Sequence, residues 1–135
     1  MRQAELSQQK IMVVDDNTHY VRLIERILQI NSYQNILSVT DPTVVVDTYK
    51  SSQPDLLLMD IEMRDMNGFD ILRMLQNGRQ GEPLPVILFS EQTDGDQKAK
   101  ALALGAQDVI GKPFSQTEVV ASINRFFERY EHSGN

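Results

Sequence analysis

Short apolar runs in this chain are followed by residues whose types could carry out chemistry. The set comprises three carboxylates, one hydroxyl and one ammonium: Asp15, Asp16, Asp60, Ser90 and Lys112. If the fold gathers the three carboxylates, they repel, because two unit charges ~5 Å apart interact by about 3 kcal/mol at an effective dielectric of ~20. A hard divalent cation removes that cost, and all-oxygen ligands without His or Cys suit Mg²⁺. A carboxylate can also act as the nucleophile in phosphoryl transfer, with the cations neutralising charge.

Each of these residues has a simpler explanation when it is considered alone. An Asp after a strand is more often a helix N-cap, and Asp16 could serve as both cap and ligand. Ser90 alone is typical of a turn, and Lys112 alone is typical of a solvated surface charge. The specific signal is therefore the joint placement of the five residues, which depends on the elements that position them.

Five apolar runs predict the strands that carry these residues. Most runs are continuous rather than alternating, as in parallel strands covered on both faces. They recur every 20–30 residues or so, which leaves room for one crossover helix per unit. We therefore predict an α/β fold, a (βα)₅ doubly wound parallel sheet that binds ligands at the carboxyl ends of its strands. The runs are IMVV (11–14), NILSV (35–39), DLLLM (55–59), PVILF (85–89) and DVI (108–110).

Helix start signals lie between the predicted strands. Asn17 or Thr18 can cap the first helix, and Asn67 followed by glycine opens the third. Ser115 to Glu118 is a capping box for the fifth helix, and the fourth is predicted over about 96–104. The second helix begins with an Asp-Pro pair at 41–42, although its three valines at 44–46 favour a strand.

Length and composition limit the class of protein. The chain has 135 residues, 41% of them hydrophobic, which is enough for one domain with a core. We divide it into a polar arm at 1–9, a domain at 10–130, and a tail or the start of a linker at 131–135. The absence of Cys excludes disulfides and thiolate metal sites, and it fits a cytoplasmic protein. The net charge of -6 argues against direct binding to nucleic acid, and no apolar run is long enough to span a membrane.

Four segments together resemble the receiver domains of two-component response regulators. They are IMVVDDN (11–17), LLLMDIEMRDMNG (56–68), VILFSE (86–91) and GKPF (111–114), in the order and spacing of that family. The resemblance covers about residues 9–130 and implies a flavodoxin-like strand order, 2-1-3-4-5. It also implies that Asp60 is phosphorylated and that Mg²⁺ is the cofactor. Asp16 and Asp60 would bind the ion through their side chains, Asp15 largely through water, and Glu62 through its backbone carbonyl.

The resemblance further implies how a phosphoryl group is received and used. Ser90 and Lys112 would contact the phosphoryl oxygens on Asp60, while Glu62 and Gln92 would tune the rate of dephosphorylation. The phosphoryl donor would be a histidine kinase or a phosphotransfer protein, and the chain would catalyse only its own phosphorylation and dephosphorylation. The output would pass to an output domain or a homodimer, through the face formed by the fourth helix, the fifth strand and the fifth helix.

Three residues depart from the family pattern. Arg64 stands where the family usually has Pro, so the loop after Asp60 loses a rigid position. Glu91 follows Ser90 where the family prefers a small residue, and a bulky anion there could hinder phosphate access. Val109 occupies the position of the family's switch aromatic, so coupling of Ser90 to a ring is not available to this chain.

Other classes of protein are also considered. A phosphatase of the haloacid dehalogenase type needs Asp-x-Asp after the first strand, whereas here Asp15 and Asp16 are adjacent. A flavodoxin needs a Ser/Thr/Gly-rich phosphate loop at the same place, and DDNTHY (15–20) is not one. A pseudo-receiver, which binds partners without taking phosphate, stays open because of Glu91 and Val109. The intact set of Asp15, Asp16, Asp60 and Lys112 argues against it.

Overall fold

Five strands alternate with α-helices along the chain in a computed structural model that describes residues 3–80 and 82–133. The strands are β1 (Lys10–Val14), β2 (Asn35–Val39), β3 (Leu56–Asp60), β4 (Val86–Ser90) and β5 (Asp108–Gly111). The helices are α1 (Gln3–Gln8), α2 (Thr18–Ile30), α3 (Val45–Ser52), α4 (Gly68–Gln76), α5 (Gly95–Ala103) and α6 (Gln116–Ser133), and a short 3₁₀ turn, Pro42–Val44, precedes α3.

All strand pairs are parallel, and the sheet order is β2-β1-β3-β4-β5. The predicted doubly wound fold and its strand order are therefore confirmed. The register places Val14 beside Met59, Asp60 beside Phe89 and Ser90 beside Gly111. Because all strands point the same way, their carboxyl ends form a single edge of the sheet, as such folds require for a ligand site.

The sheet is covered on both faces, which explains the continuous apolar runs. One face, with Ile11 and Leu58, packs against α2 and α6. The opposite face, with Met12 and Leu57, packs against α3, α4 and α5. Every residue of β3 and β4 is buried, so these central strands show no alternation of polar and apolar residues.

Side-chain caps begin most of the helices at the positions that the sequence indicates. Asn17 accepts a hydrogen bond from the His19 amide, and Asn67 accepts one from the Phe69 amide. The Ser115 hydroxyl accepts the hydrogen bond from the Glu118 amide that the predicted capping box requires, and it donates one to the Glu118 carboxylate. The three valines after Pro42 divide between the 3₁₀ turn and α3, where Val45 is fully buried. The helical reading of this segment therefore holds because tertiary burial outweighs its strand propensity.

The N-terminal segment differs from a simple polar arm. Residues 3–8 form α1, and Leu6 packs against the core that α2 and α6 share. One leucine gives no helical periodicity, so the sequence pattern carries no signal for this element. The domain limits drawn from the sequence stay predictions, and their outermost residues, 1–2 and 134–135, lie outside the described residues. Within the described ranges, no helix is long and apolar enough to cross a membrane.

Candidate functional site

Three carboxylates converge at the carboxyl edge of the sheet. Asp15 and Asp16 directly follow β1, and Asp60 is the last residue of the neighbouring strand β3. One oxygen atom from each of the three lies within 4.8 Å of the others. Asp15 and Asp60 are buried, whereas the Asp16 side chain is 22% exposed and faces the opening of the cluster. The sheet therefore concentrates negative charge where water can least screen it.

Lys112 holds the two buried carboxylates together. Its Nζ atom donates a hydrogen bond to Asp15 Oδ2 at 2.7 Å and lies 3.2 Å from Asp60 Oδ1. The ammonium also sits 3.8 Å from the centroid of the Tyr20 ring, a cation–π contact. Burial alone would lower the pKa of Lys112, but the hydrogen bond to Asp15 and the charge of Asp60 raise it. The side chain therefore stays charged inside the site.

Asp60 is the carboxyl group of the cluster whose ionised form is most clearly disfavoured by its surroundings. Burial, followed by the charge of Asp15, raises the pKa of Asp60 from 3.8 to about 7, against the opposing effect of Lys112. Its Oδ1 atom has no well-aligned hydrogen bond within the described residues, although the Lys112 ammonium is near. The carboxylate thus has unused lone pairs and a high free energy when it is ionised, two properties that favour a cation ligand or a nucleophile.

The donor set fits a magnesium ion. Three carboxylates supply oxygen ligands only, and a single ammonium leaves a formal charge of -2 when all of them are ionised. Asp60 Oδ1 is buried without an aligned donor, so a cation would satisfy an atom that the described residues leave unsatisfied. A small hard cation held by a few carboxylates and by water is the usual form of such a site.

The loop after Asp60 contains a contact that the family pattern does not allow. The backbone amide of Arg64 donates a hydrogen bond to Asp16 Oδ2 at 2.8 Å, and Arg64 Nε lies 4.0 Å from the same oxygen. A proline at this position has no N–H and could not form the first contact. The side chain of Arg64 is 93% exposed, so the backbone bond is the part that fixes the loop against Asp16. The departure at Arg64 therefore replaces a rigid position with a hydrogen bond.

Gly68 allows the start of α4 to approach the backbone of Asp60. A Cβ atom on this glycine would lie 2.7 Å from the Asp60 carbonyl oxygen and 2.8 Å from Ile61 Cα. The Gly68 amide also donates a hydrogen bond to the Ile61 carbonyl at 2.8 Å. The glycine is thus required by close backbone packing behind the site, at an ordinary negative φ.

Ser90, the last residue of β4, is engaged by the side chain of Glu62. The Ser90 hydroxyl lies 2.9 Å from Glu62 Oε2, and the Glu91 amide donates a hydrogen bond to Glu62 Oε1 at 2.7 Å. The hydroxyl also lies 2.8 Å from the carbonyl of Gln92 and accepts a bond from its amide. Sequence reasoning assigned Glu62 a role through its backbone carbonyl and a rate-tuning role, and it missed this carboxylate contact with Ser90.

Removal of the Lys112 charge should destabilise the protein strongly. We expect Lys112→Met to lower the free energy of unfolding by about 3 kcal/mol at neutral pH without metal, because two buried carboxylates would lose their cation. Lys98→Met, at an exposed position of α5, is the matched control and should change it by less than about 0.5 kcal/mol. Urea unfolding in the presence of EDTA measures both values. Equal stabilities of the two variants would contradict the importance assigned to the Lys112 contacts.

Comparison with curated proteins finds relatives over most of this chain. The protein YvrH of Bacillus subtilis is 29% identical over 119 residues, which are 88% of this chain and 49% of that protein, a transcriptional regulatory protein. The DNA-binding response regulator MtrA of Mycobacterium leprae is 30% identical over 121 residues, or 90% of this chain and 52% of its own length. The chain thus spans about half the length of these curated relatives.

Solved structures show the same fold. The receiver domain of a putative Luxo repressor protein from Vibrio parahaemolyticus superposes with a TM-score of 0.81 at 22% identity, covering 93% of this chain and 95% of that one. The family described as the response regulator receiver domain matches residues 11–124. This range contains β2 to β5, all of β1 except Lys10, and the whole acidic cluster. The chain therefore belongs to the response regulator receiver domain family.

Proposed function

We propose that the chain is the phosphoacceptor domain of a two-component response regulator and that Asp60 receives the phosphoryl group. The observation that carries the proposal is the buried contact of Lys112 Nζ with both Asp15 and Asp60, at 2.7 and 3.2 Å. Such a contact holds an ionised carboxylate next to a fixed cation, the arrangement that phosphoryl transfer needs. Receiver domains in general pair with histidine kinases and use Mg²⁺, and they are generally not true enzymes.

In the proposed reaction, an Asp60 carboxylate oxygen attacks the phosphorus atom of a phosphohistidine on a kinase or phosphotransfer protein. The new P–O bond forms as the P–N bond breaks, and the departing imidazole keeps the bonding pair and takes up a proton. Asp15, Asp16, Asp60 and the Glu62 backbone carbonyl would hold Mg²⁺, which when bound neutralises charge on the phosphoryl oxygens. Lys112 stays beside Asp60 throughout and balances the negative charge of the product.

We also propose the face through which the phosphorylated state acts, made of α5, β5 and α6. Ser90 and Lys112 lie at the ends of β4 and β5, so their movement towards a phosphoryl group displaces the segments that follow them. Ala101 is the only buried residue of α5, and few apolar contacts therefore oppose a shift of this helix. The partner would be a second copy of this face or an output domain, and the domain at 10–130 would act in the cytoplasm without direct nucleic-acid contact.

Beryllofluoride uptake tests the proposal directly, because this phosphoryl analogue binds an aspartate only in a competent site. We expect saturable binding near Asp60 in the presence of Mg²⁺ and none in EDTA, with changes in amide chemical shifts around residues 60 and 90. Amide hydrogen exchange of residues 90–105 should change on binding as well, if the output face is correct. Absence of uptake at millimolar Mg²⁺ would contradict the phosphoacceptor function.

A pseudo-receiver, which binds partners without taking phosphate, is the second candidate. One observation favours it: Ser90 is already engaged by the Glu62 carboxylate, so the hydroxyl is not free to meet a phosphoryl oxygen. A pseudo-receiver would fail to take up beryllofluoride although it folds and binds Mg²⁺. The same titration therefore separates the two candidates.

A further inference from the structure

Two hydrogen-bond donors at the end of β4 are occupied by an anion from the chain itself. The Ser90 hydroxyl lies 2.9 Å from Glu62 Oε2, and the Glu91 backbone amide donates to Glu62 Oε1 at 2.7 Å. Both oxygens of one carboxylate are thus used by adjacent residues of the chain. Ser90 is fully buried, so the contact is closed to water on the serine side.

The same two donors are suited to the oxygens of a phosphoryl group on Asp60. Asp60 pairs with Phe89 on the neighbouring strand β4. Ser90 and Glu91 directly follow Phe89 in the chain, so both donors lie close to the end of Asp60's strand. An anionic oxygen attached to Asp60 would need hydroxyl and N–H donors on this side, just as the Glu62 carboxylate does.

We propose that Glu62 is an internal anion that occupies the phosphoryl-oxygen subsite of the unmodified protein and leaves it when Asp60 is phosphorylated. The inference rests on the proposed function, since it assigns a competitor for the same site. The carboxylate and the phosphoryl oxygens cannot share one hydroxyl proton and one N–H, and their negative charges repel. Glu62 therefore opposes phosphorylation, and its departure frees the loop at 91–94 that leads into α5.

This arrangement gives the chain a route for its signal that does not need an aromatic residue on β5. Val109 has a small β-branched side chain with few rotamers and is half-buried against the core of the α5 side. In contrast, the Glu62 carboxylate bonds directly to the backbone of the loop before α5. Its release would change that loop at the first residue after β4.

Paired charge-removing variants test the inference. Glu62→Gln removes the competing anion, and Glu62→Ala removes the contact entirely. Asp65→Asn is the matched control, because it removes one negative charge from the same loop without touching Ser90 or Glu91. Asp65 is exposed and has a φ of 64°, a left-handed conformation that Asn also adopts. The readouts are the apparent affinity for beryllofluoride with Mg²⁺ and the hydrogen-exchange rate of the Glu91 amide in the metal-free protein.

We expect both Glu62 variants to bind beryllofluoride about tenfold more tightly than wild type. A tenfold change in affinity corresponds to about 1.4 kcal/mol, which is near the lower end of the free energies of hydrogen bonds to a charged group. Asp65→Asn should change the affinity by no more than about twofold. Exchange of the Glu91 amide should be faster in Glu62→Ala and unchanged in Asp65→Asn.

Two results would overturn the inference in distinguishable ways. If wild type takes up beryllofluoride and the Glu62 variants bind no more tightly than Asp65→Asn, the proposed function stands and the inference fails. If neither wild type nor any variant takes up the analogue at millimolar Mg²⁺, the phosphoacceptor function fails and the inference fails with it.

Discussion

Asp60→Asn should take up no phosphate from acetyl phosphate and Mg²⁺, whereas the wild-type protein should gain one phosphoryl group. The Asn amide is not a nucleophile, and no other carboxylate of the cluster has the same combination of a buried oxygen without an aligned donor and a neighbouring ammonium. Within the described residues, Asp15 Oδ2 is bound by Lys112, and Asp16 Oδ2 is bound by the Arg64 amide. Intact mass spectrometry measures the uptake, and peptide mapping identifies the site.

A second Asn variant in the same loop controls for the loss of an acidic residue. Asp65 is exposed and has a φ of 64°, a left-handed conformation that Asn also adopts readily. Asp65→Asn should therefore fold normally and keep the full phosphate uptake. Labelling of Asp60→Asn to the level of wild type, at any residue, would show that the acceptor has been assigned wrongly.

The sheet could be predicted from the sequence because its central strands are apolar on both faces and must therefore be covered on both faces. A run such as residues 56–59 is apolar at every position, and helices on both faces of a parallel sheet are the environment that such a run needs. The observed bounds of these strands differ from the predicted bounds by about one residue. Asp60 and Ser90 are therefore the last residues of their strands and do not follow them. Hydrogen bonding to the neighbouring strand decides these bounds, and it is not encoded in local hydrophobicity.

The joint position of the charged residues was also predictable, because parallel topology alone brings the strand ends together. The contacts of the other side chains that complete the site could not be predicted in this way. Tyr20 and Glu62 have types and spacings that fit a solvated helix or loop equally well, and only the tertiary structure turns them towards Lys112 and Ser90. The hydrogen bond from the Arg64 amide to Asp16 is partly indicated by the sequence, because a residue other than proline at this position has a backbone N–H to donate.

The unfolding free energy of the metal-free protein should decrease as the pH rises from about 4 to about 8 because of Asp60. Burial, and then the charge of Asp15, raises the pKa of Asp60 in the folded protein to about 7 from 3.8. Between these values the folded state binds a proton that the unfolded state does not, so protonation stabilises the fold at low pH. The stabilisation is complete below the unfolded pKa and is lost as the pH passes through about 7.

Asp60→Asn lacks this proton equilibrium and should be the more stable protein at pH 8. The shift is about three pKa units and each unit is worth ~1.4 kcal/mol, so the difference from wild type should be of the order of 4 kcal/mol at pH 8 and close to zero at about pH 4. Urea unfolding of both proteins in EDTA at several pH values measures it. Parallel pH profiles for the two proteins would show that Asp60 is not destabilised by burial.

Magnesium should offset the destabilisation of the wild-type protein at pH 8. A cation that binds only the folded state stabilises it by an amount that grows with the ratio of the cation concentration to its Kd. At a concentration of 100 Kd, the free energy of unfolding would rise by about 2.7 kcal/mol. Asp16→Ala should lose most of this gain, because Asp16 supplies the accessible oxygen of the cluster, while Asp65→Asn should keep it. The same gain in Asp16→Ala and wild type would place the metal outside the acidic cluster. A gain in wild type that is absent from Asp16→Ala would assign the cation to the carboxylates at the ends of β1 and β3.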